Sequence, residues 1–103
     1  MVCEKLVRDK IPAIMEEKGK HANIRILSDA EYSVYLERKL DEEVVEFHKD
    51  KNLEELADIL EVVYALAAAH GLSPEQLQAL RQQKRRERGG FDDRIFLIRK
   101  ERA

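Results

Sequence analysis

The fold is decided by residues 28–70, which read SDAEYSVYLERKLDEEVVEFHKDKNLEELADILEVVYALAAAH. Ser28 with Glu31 three residues later is a capping box that starts a helix. Apolar residues then recur at helical spacing as far as a tight turn at 50–52. A further long helix follows this turn, and Gly71 ends it. The stretch therefore predicts two long helices that run antiparallel to each other.

One more helix is predicted before this pair and one after it. Residues 4–18 favour a first helix, which contains Pro12 and is followed by Gly19. Residues 74–88 favour a fourth helix, because they begin with proline at the first helical position and end before a pair of glycines. The sequence therefore predicts four helices in all.

Two short segments read as strands. Residues 22–27 contain alternating isoleucines, and residues 94–98 are a short apolar run that would pair with them. The expected fold class is all-α, a four-helix-type bundle to which a small two-stranded β element is an optional addition.

The composition limits the class of protein. The chain has 103 residues, of which 44% are hydrophobic and 39% charged, and this length suits one domain over residues 1–103. No apolar run approaches the roughly 18 residues of a membrane span. Cys3 is the only cysteine, which excludes an internal disulfide and a cysteine-based zinc site. Because no secretory signal is visible at the N-terminus, we expect a cytoplasmic protein.

Charge is distributed unevenly along the chain. Residues 31–61 contain eleven acidic and four basic residues, a net charge of −7. Residues 81–103 contain nine basic and four acidic residues, a net charge of +5. An acidic middle and a basic end require a functional explanation.

Four carboxylates occupy matched positions on the two long helices. Glu43 and Glu46 border the apolar stripe of one helix, and Glu55 and Asp58 border that of the other. Across a short turn, antiparallel helices place residues opposite each other when their numbers have a constant sum. Glu46 then faces Glu55 and Glu43 faces Asp58, between helices packed about 8–10 Å apart.

Four converging acids repel one another strongly. At separations of about 7 Å, each pair costs roughly 0.6 kcal/mol in water and about 2.4 kcal/mol at an effective dielectric constant of 20. Six pairs cost about 4–14 kcal/mol, which is comparable with the stability of a whole domain. A divalent cation would relieve this repulsion, and all-oxygen ligation suits Mg²⁺ or Mn²⁺. Redox iron is disfavoured because the Glu-x-x-His signature of di-iron bundles is absent.

The motifs KLDEEVVE at 39–46 and EELAD at 54–58 resemble the all-α nucleoside triphosphate pyrophosphohydrolase superfamily, the MazG-like and phosphoribosyl-ATP pyrophosphohydrolase-like proteins. The stretches KLVRDKIPAIM at 5–15, GGF at 89–91 and IFL at 95–97 extend the resemblance over most of the chain. The resemblance implies Mg²⁺-dependent hydrolysis of the bond between the α and β phosphates of a nucleotide, which releases a monophosphate and pyrophosphate. Mn²⁺ would serve as a substitute metal, and non-canonical nucleotides removed by house-cleaning enzymes are one substrate class.

Carried over by position, the resemblance assigns the metal to Glu43, Glu46, Glu55 and Asp58. Glu42 would be an outer acid or a base that orients the attacking water.

Basic residues would have to offset the repulsion between these acids and a phosphate. The candidates for substrate binding lie near the N-terminus, in the acidic helix and in the last helix: Lys5, Arg8, Lys39, Lys84 and Arg88. Taken alone, each of them is more simply read as a solvated surface residue, and Lys39 as a salt-bridge partner of Glu43.

The sequence is also consistent with other functions. The related enzyme class is the phosphoribosyl-ATP pyrophosphohydrolase of histidine biosynthesis. The non-enzyme classes are a nucleic-acid-binding module that uses residues 84–88, which the acidic stripe disfavours, and a non-catalytic helical interaction protein. Because the apolar stripes exceed what one short chain can bury, we expect a homo-dimer or homo-tetramer, with no membrane partner.

Overall fold

The structure, a computed structural model, describes residues 4–102 and contains four α-helices within them. The helices are α1 (Ile11–Glu17), α2 (Asp29–Asp50), α3 (Glu54–Ala69) and α4 (Pro74–Arg88). The predicted all-α class is therefore confirmed. The predicted bounds of α2 and α4 agree with the structure, and α3 begins and ends close to its expected positions.

The α2–α3 hairpin is the centre of the fold. The Ser28 hydroxyl accepts a hydrogen bond from the Glu31 N–H, and the Glu31 carboxylate accepts one from the Ser28 N–H, so the predicted capping box starts α2. Lys51 adopts a left-handed conformation with φ 53°, which ends α2. The Asn52 side chain then accepts a hydrogen bond from the Glu54 N–H at 2.9 Å. These local contacts let α3 fold back along α2.

The hairpin buries very little side chain completely. Leu36 on α2 and Val62 on α3 are the only buried hydrophobic residues in the described part of the chain, with 2% and 8% of their surface exposed. A single pair of helices cannot enclose more, because each helix covers only one side of the other. The radius of gyration is 18.2 Å, against about 13 Å for a compact domain of this length.

The first helix is shorter than expected. Residues 4–18 were predicted as helical, but α1 covers only Ile11–Glu17. Pro12 explains the difference, because proline has no N–H to donate and clashes with the carbonyl four residues before it. The helix therefore starts where Pro12 falls in its first turn, and the residues before it form an irregular segment that reaches the hairpin.

The prediction of a small β element was wrong. Residues 22–27 and 94–98 are irregular, and no strand forms anywhere in residues 4–102. Strand pairing requires a partner, and the apolar side chains at 95–98 are 75–87% exposed, so nothing covers them. We call residues 91–98 the C-terminal arm.

The last helix turns away from the hairpin. The chain bends by 107° between α3 and α4, after Gly71 adopts a φ of 82°. Because of this bend, α4 packs against the end of α3 and makes no contact with α2. The Gln78 side chain of α4 donates a hydrogen bond to the Tyr64 hydroxyl of α3.

Hydropathy gives no helix within 4–102 that could cross a membrane alone. Only α3 and α4 together meet the length and composition of a span, and they are sharply bent with respect to each other.

Candidate metal centre

Carboxylates of both hairpin helices meet near the turn. Oxygens from Glu43, Glu55 and Asp58 all lie within 4.8 Å of one another. A second set of oxygens, which also lie within 4.8 Å of one another, belongs to Glu46, Asp50 and Glu55. The predicted register is confirmed, since Glu43 lies beside Asp58 and Glu46 beside Glu55. We call these five residues the carboxylate cluster.

Glu55 is the residue common to both sets. Its Oε2 atom is buried and has no hydrogen-bond partner when every carboxylate of the cluster is ionised. A hydrogen bond to Glu43 raises the pKa of Glu55 to about 7, and desolvation and the negative charges of Glu43, Asp58 and Glu46 act in the same direction. The raised pKa means that Glu55 loses its proton less readily than an ordinary glutamate does. A cation bound beside Glu55 would instead be coordinated by its buried Oε2 atom.

Asp50 is a member of the cluster that the sequence analysis missed. It is the last residue of α2, where the prediction placed the end of the helix and the start of the turn. Its position four residues after Glu46 puts both carboxylates on one face of the helix. This spacing was visible in the sequence and would have identified Asp50.

Three of the five predicted phosphate-binding bases lie at this cluster. Arg8 donates to Asp58 at 2.6 Å from the segment that precedes α1. Lys39 Nζ lies 3.4 Å from a Glu42 oxygen and 3.3 Å from a Glu43 oxygen. Lys5 Nζ lies 3.6 Å from the same Glu42 oxygen. The positive charge at the site therefore comes from the N-terminal segment and from α2.

Glu42 lies beside the carboxylate cluster and outside both sets of converging oxygens. It binds Lys5 and Lys39, and its side chain is 36% exposed, whereas that of Glu43 is 12% exposed. This position agrees with its predicted place as an outer acid.

The other two predicted bases are distant from the cluster in this chain. Lys84 and Arg88 line a surface cleft with Gly90 and Phe91 at the C-terminal end of α4. Since α4 makes no contact with α2, neither base can reach the carboxylates of its own chain in this arrangement. The reason is the bend between α3 and α4, which the sequence did not show.

The distribution of ion pairs leaves part of the cluster uncompensated. Arg8 pairs with Asp58 and Lys39 pairs with Glu43. Across 4–102 no ion pair involves Glu46 or Glu55. These two acids face each other across the hairpin, and their negative charge is what a divalent cation would neutralise.

The fold and the site together define an all-α helical hairpin that carries a carboxylate cluster capable of binding a metal. The chain is similar to an uncharacterised protein of Mycolicibacterium smegmatis, with 54% identity over 41 residues. The match spans 40% of this chain and 42% of the length of that protein. No family model matches the chain, and no solved structure matches it.

Proposed function

We propose that this chain is a Mg²⁺-dependent nucleotide pyrophosphohydrolase of the MazG-like kind and that it acts in the cytoplasm. The observation that carries the proposal is the buried, unpartnered Glu55 oxygen among converging carboxylates of two helices. An acidic helix face that only contacts water would leave every oxygen solvated. The resemblance of EExxE at 42–46 and ExxD at 55–58 to the superfamily motifs supports the same assignment.

The residues present suit a hard divalent cation. Glu43, Glu46, Glu55 and Asp58 offer only oxygen donors, as Mg²⁺ and Mn²⁺ prefer, and a softer metal would favour nitrogen or sulfur ligands. When bound, the metal would lower the pKa of a water molecule and neutralise charge on the phosphates. Glu55 would lose its proton on binding, because a metal ligand must be deprotonated.

The neighbouring residues have separate tasks in the proposed hydrolysis. Lys5, Arg8 and Lys39 supply positive charge for the phosphate groups, which the acids alone would repel. Glu42, which pairs with Lys5 and Lys39, would accept a proton from water or orient it. The bond between the α and β phosphates would then break, with release of a nucleoside monophosphate and pyrophosphate.

The activity is tested with a panel of canonical and modified nucleoside triphosphates and with phosphoribosyl-ATP, each with Mg²⁺. Pyrophosphate, not orthophosphate, is the expected product. A preference for phosphoribosyl-ATP would assign the chain to the histidine-biosynthesis reaction, and failure of every compound to release pyrophosphate would contradict the proposal.

The residue assignment is tested with Glu46→Ala and Asp58→Ala. Both variants should reduce pyrophosphate release to the background rate, because each removes a proposed ligand. Glu61→Ala is the matched control, since Glu61 is an exposed glutamate on α3 outside the cluster. Unchanged turnover in either cluster variant would contradict the assignment. Calorimetry with Mn²⁺ adds a readout that does not depend on substrate, and an inert helical protein should show no specific binding.

A further inference from the structure

The exposed side of α4 carries four basic residues in a row. They recur at spacings of three and four residues, which places them on one face of the helix over two turns: Arg81, Lys84, Arg85 and Arg88. All four residues are exposed. At the rise of an α-helix, the row is about 10 Å long. We call these four residues the basic row, and the proposed hydrolysis does not use them.

The basic row leads into a cleft that holds an exposed aromatic ring. The four bases line this cleft together with Gly89, Gly90 and Phe91. Gly90 leaves room for the Arg85 guanidinium, which a Cβ atom at Gly90 would approach too closely. The next residue, Phe91, is 96% exposed. Proteins bind single-stranded nucleic acids with this combination, because cations contact the phosphates and bases stack on the aromatic ring.

Acids of the same chain neutralise little of this positive charge. Residues 81–102 contain nine bases and only four acids. Lys84 and Arg88 form no ion pair with any residue in 4–102. The pair between Arg85 and Asp92, at 3.7 Å, is highly exposed and therefore weak, so a phosphate group can compete for the guanidinium. The basic row is thus available to an anionic partner.

The fold also keeps the acidic residues of the chain away from the basic row. The acidic stripe, which disfavoured nucleic acid in the sequence, lies on the α2–α3 hairpin. The chain bends by 107° before α4, and α4 makes no contact with α2. Charges separated by more than about 8 Å are largely screened at physiological ionic strength. The carboxylate cluster therefore does not cancel the attraction of the basic row for phosphate.

We propose that the basic row and Phe91 bind single-stranded nucleic acid. Lys84 and Arg88 contact backbone phosphates, and a base stacks on the ring of Phe91. Neither contact reads the identity of a base, so binding tolerates any sequence. The proposal uses residues outside the carboxylate cluster and does not depend on the proposed hydrolysis.

A bilayer that contains anionic lipids is the competing partner, because it also attracts basic residues. A helix that lies on a membrane needs an apolar face opposite its basic face. Residues 81–88 read RQQKRRER and contain no apolar side chain, so this part of α4 has no such face. The cleft, in which an aromatic ring lies beside cations, favours a nucleic acid.

Fluorescence anisotropy with labelled oligothymidylate tests the phosphate contacts. The full chain should bind this probe, and four phosphate contacts should make the affinity fall about 50-fold between about 50 and 200 mM salt. Lys84→Ala/Arg88→Ala should remove about half of this salt dependence on a logarithmic scale. Lys18→Ala/Lys20→Ala is the matched control, because both lysines are exposed and lie outside the basic row. Equal losses of affinity in the two double variants, or no binding by the wild type, would overturn the proposal.

Base stacking and the choice of partner have separate tests. Phe91→Leu keeps an apolar side chain but removes the ring, so it should weaken binding of oligothymidylate by about 5-fold or more. A duplex of the same length hides its bases, and its affinity should be unchanged in this variant. Vesicles that contain phosphatidylserine should retain little protein in co-sedimentation. An unchanged affinity of Phe91→Leu for the single strand, or tighter binding to the vesicles than to the oligonucleotide, would overturn the proposal.

Discussion

The α2–α3 hairpin and the C-terminal arm behave in opposite ways although both contain strong apolar patterns. In the hairpin, caps and a three-residue turn lie next to the helices that they organise, so sequence spacing is enough to set the register. In the arm, Phe91 is 96% exposed and residues 95–98 contact no partner strand. A helix satisfies its backbone hydrogen bonds internally, whereas a strand cannot. Local patterns were therefore reliable for the hairpin and unreliable for the arm.

The two regions also differ in charge. The hairpin concentrates carboxylates at its turn, and α4 with the residues after it carries a net positive charge. The bend after α3 separates these charges within one chain. The positive charge of α4 is therefore held away from the carboxylates of its own hairpin.

Compared with α4, the hairpin should show its largest difference in core packing. Leu36→Ala should lower the free energy of unfolding by about 2–5 kcal/mol, because it opens a cavity at a side chain that is 2% exposed. Leu80→Ala on α4 makes the same chemical change at a half-exposed position and should cost less than about 1 kcal/mol. Urea denaturation followed by circular dichroism measures both. Equal losses would mean that α4 is packed as tightly as the hairpin.

Loss of a helix cap should lower the free energy of unfolding less than Leu36→Ala does, and by a similar amount in α2 and in α4. Ser28→Ala and Ser73→Ala each remove a side chain that accepts from the backbone three residues later, at a cost of about 1 kcal/mol. The two variants should differ in how far the destabilisation spreads. Loss of the α2 cap should weaken the whole hairpin, whereas loss of the α4 cap should mainly fray α4. Amide hydrogen exchange separates the two cases, and uniform deprotection in Ser73→Ala would show that α4 and the hairpin unfold together.

A third difference is a pH dependence confined to the hairpin. The pKa of Glu55 is raised from its ordinary 4.5 to about 7, so its contribution to stability is fully present below pH 4.5 and is lost as the pH rises to about 7. Metal-free wild type should therefore lose stability relative to Glu55→Gln over this interval. Urea midpoints measured in a chelator test the difference, and parallel pH curves for the two proteins would contradict it.

Glu31, a second hairpin residue with a shifted pKa, titrates outside this pH interval. Hydrogen bonds from Arg25 and Ser28 lower the pKa of Glu31 to about 2. Its contribution is therefore present above pH 4.5 and lost only as the pH falls toward 2. It does not obscure the change expected from Glu55.

Prediction from the sequence succeeded where the deciding interaction lies within a few residues. The capping box at Ser28 and the pairing of Glu43 with Asp58 both follow from short spacings. It failed at the start of α1, where the steric limit of Pro12 outweighed a continuous helical pattern. It also missed Asp50 as a member of the carboxylate cluster, although Asp50 shares a helix face with Glu46.

The amino-acid sequence by itself determined the four helices, the hairpin and the meeting of two carboxylate pairs across it, because helix periodicity and turn length set which side chains face each other. The tertiary structure decided which bases accompany those acids. The irregular segment before α1 brings Lys5 and Arg8 to the cluster, and the bend after α3 carries Lys84 and Arg88 away from it. Directions of chain segments joined by flexible connections depend on long-range packing, which no local spacing encodes.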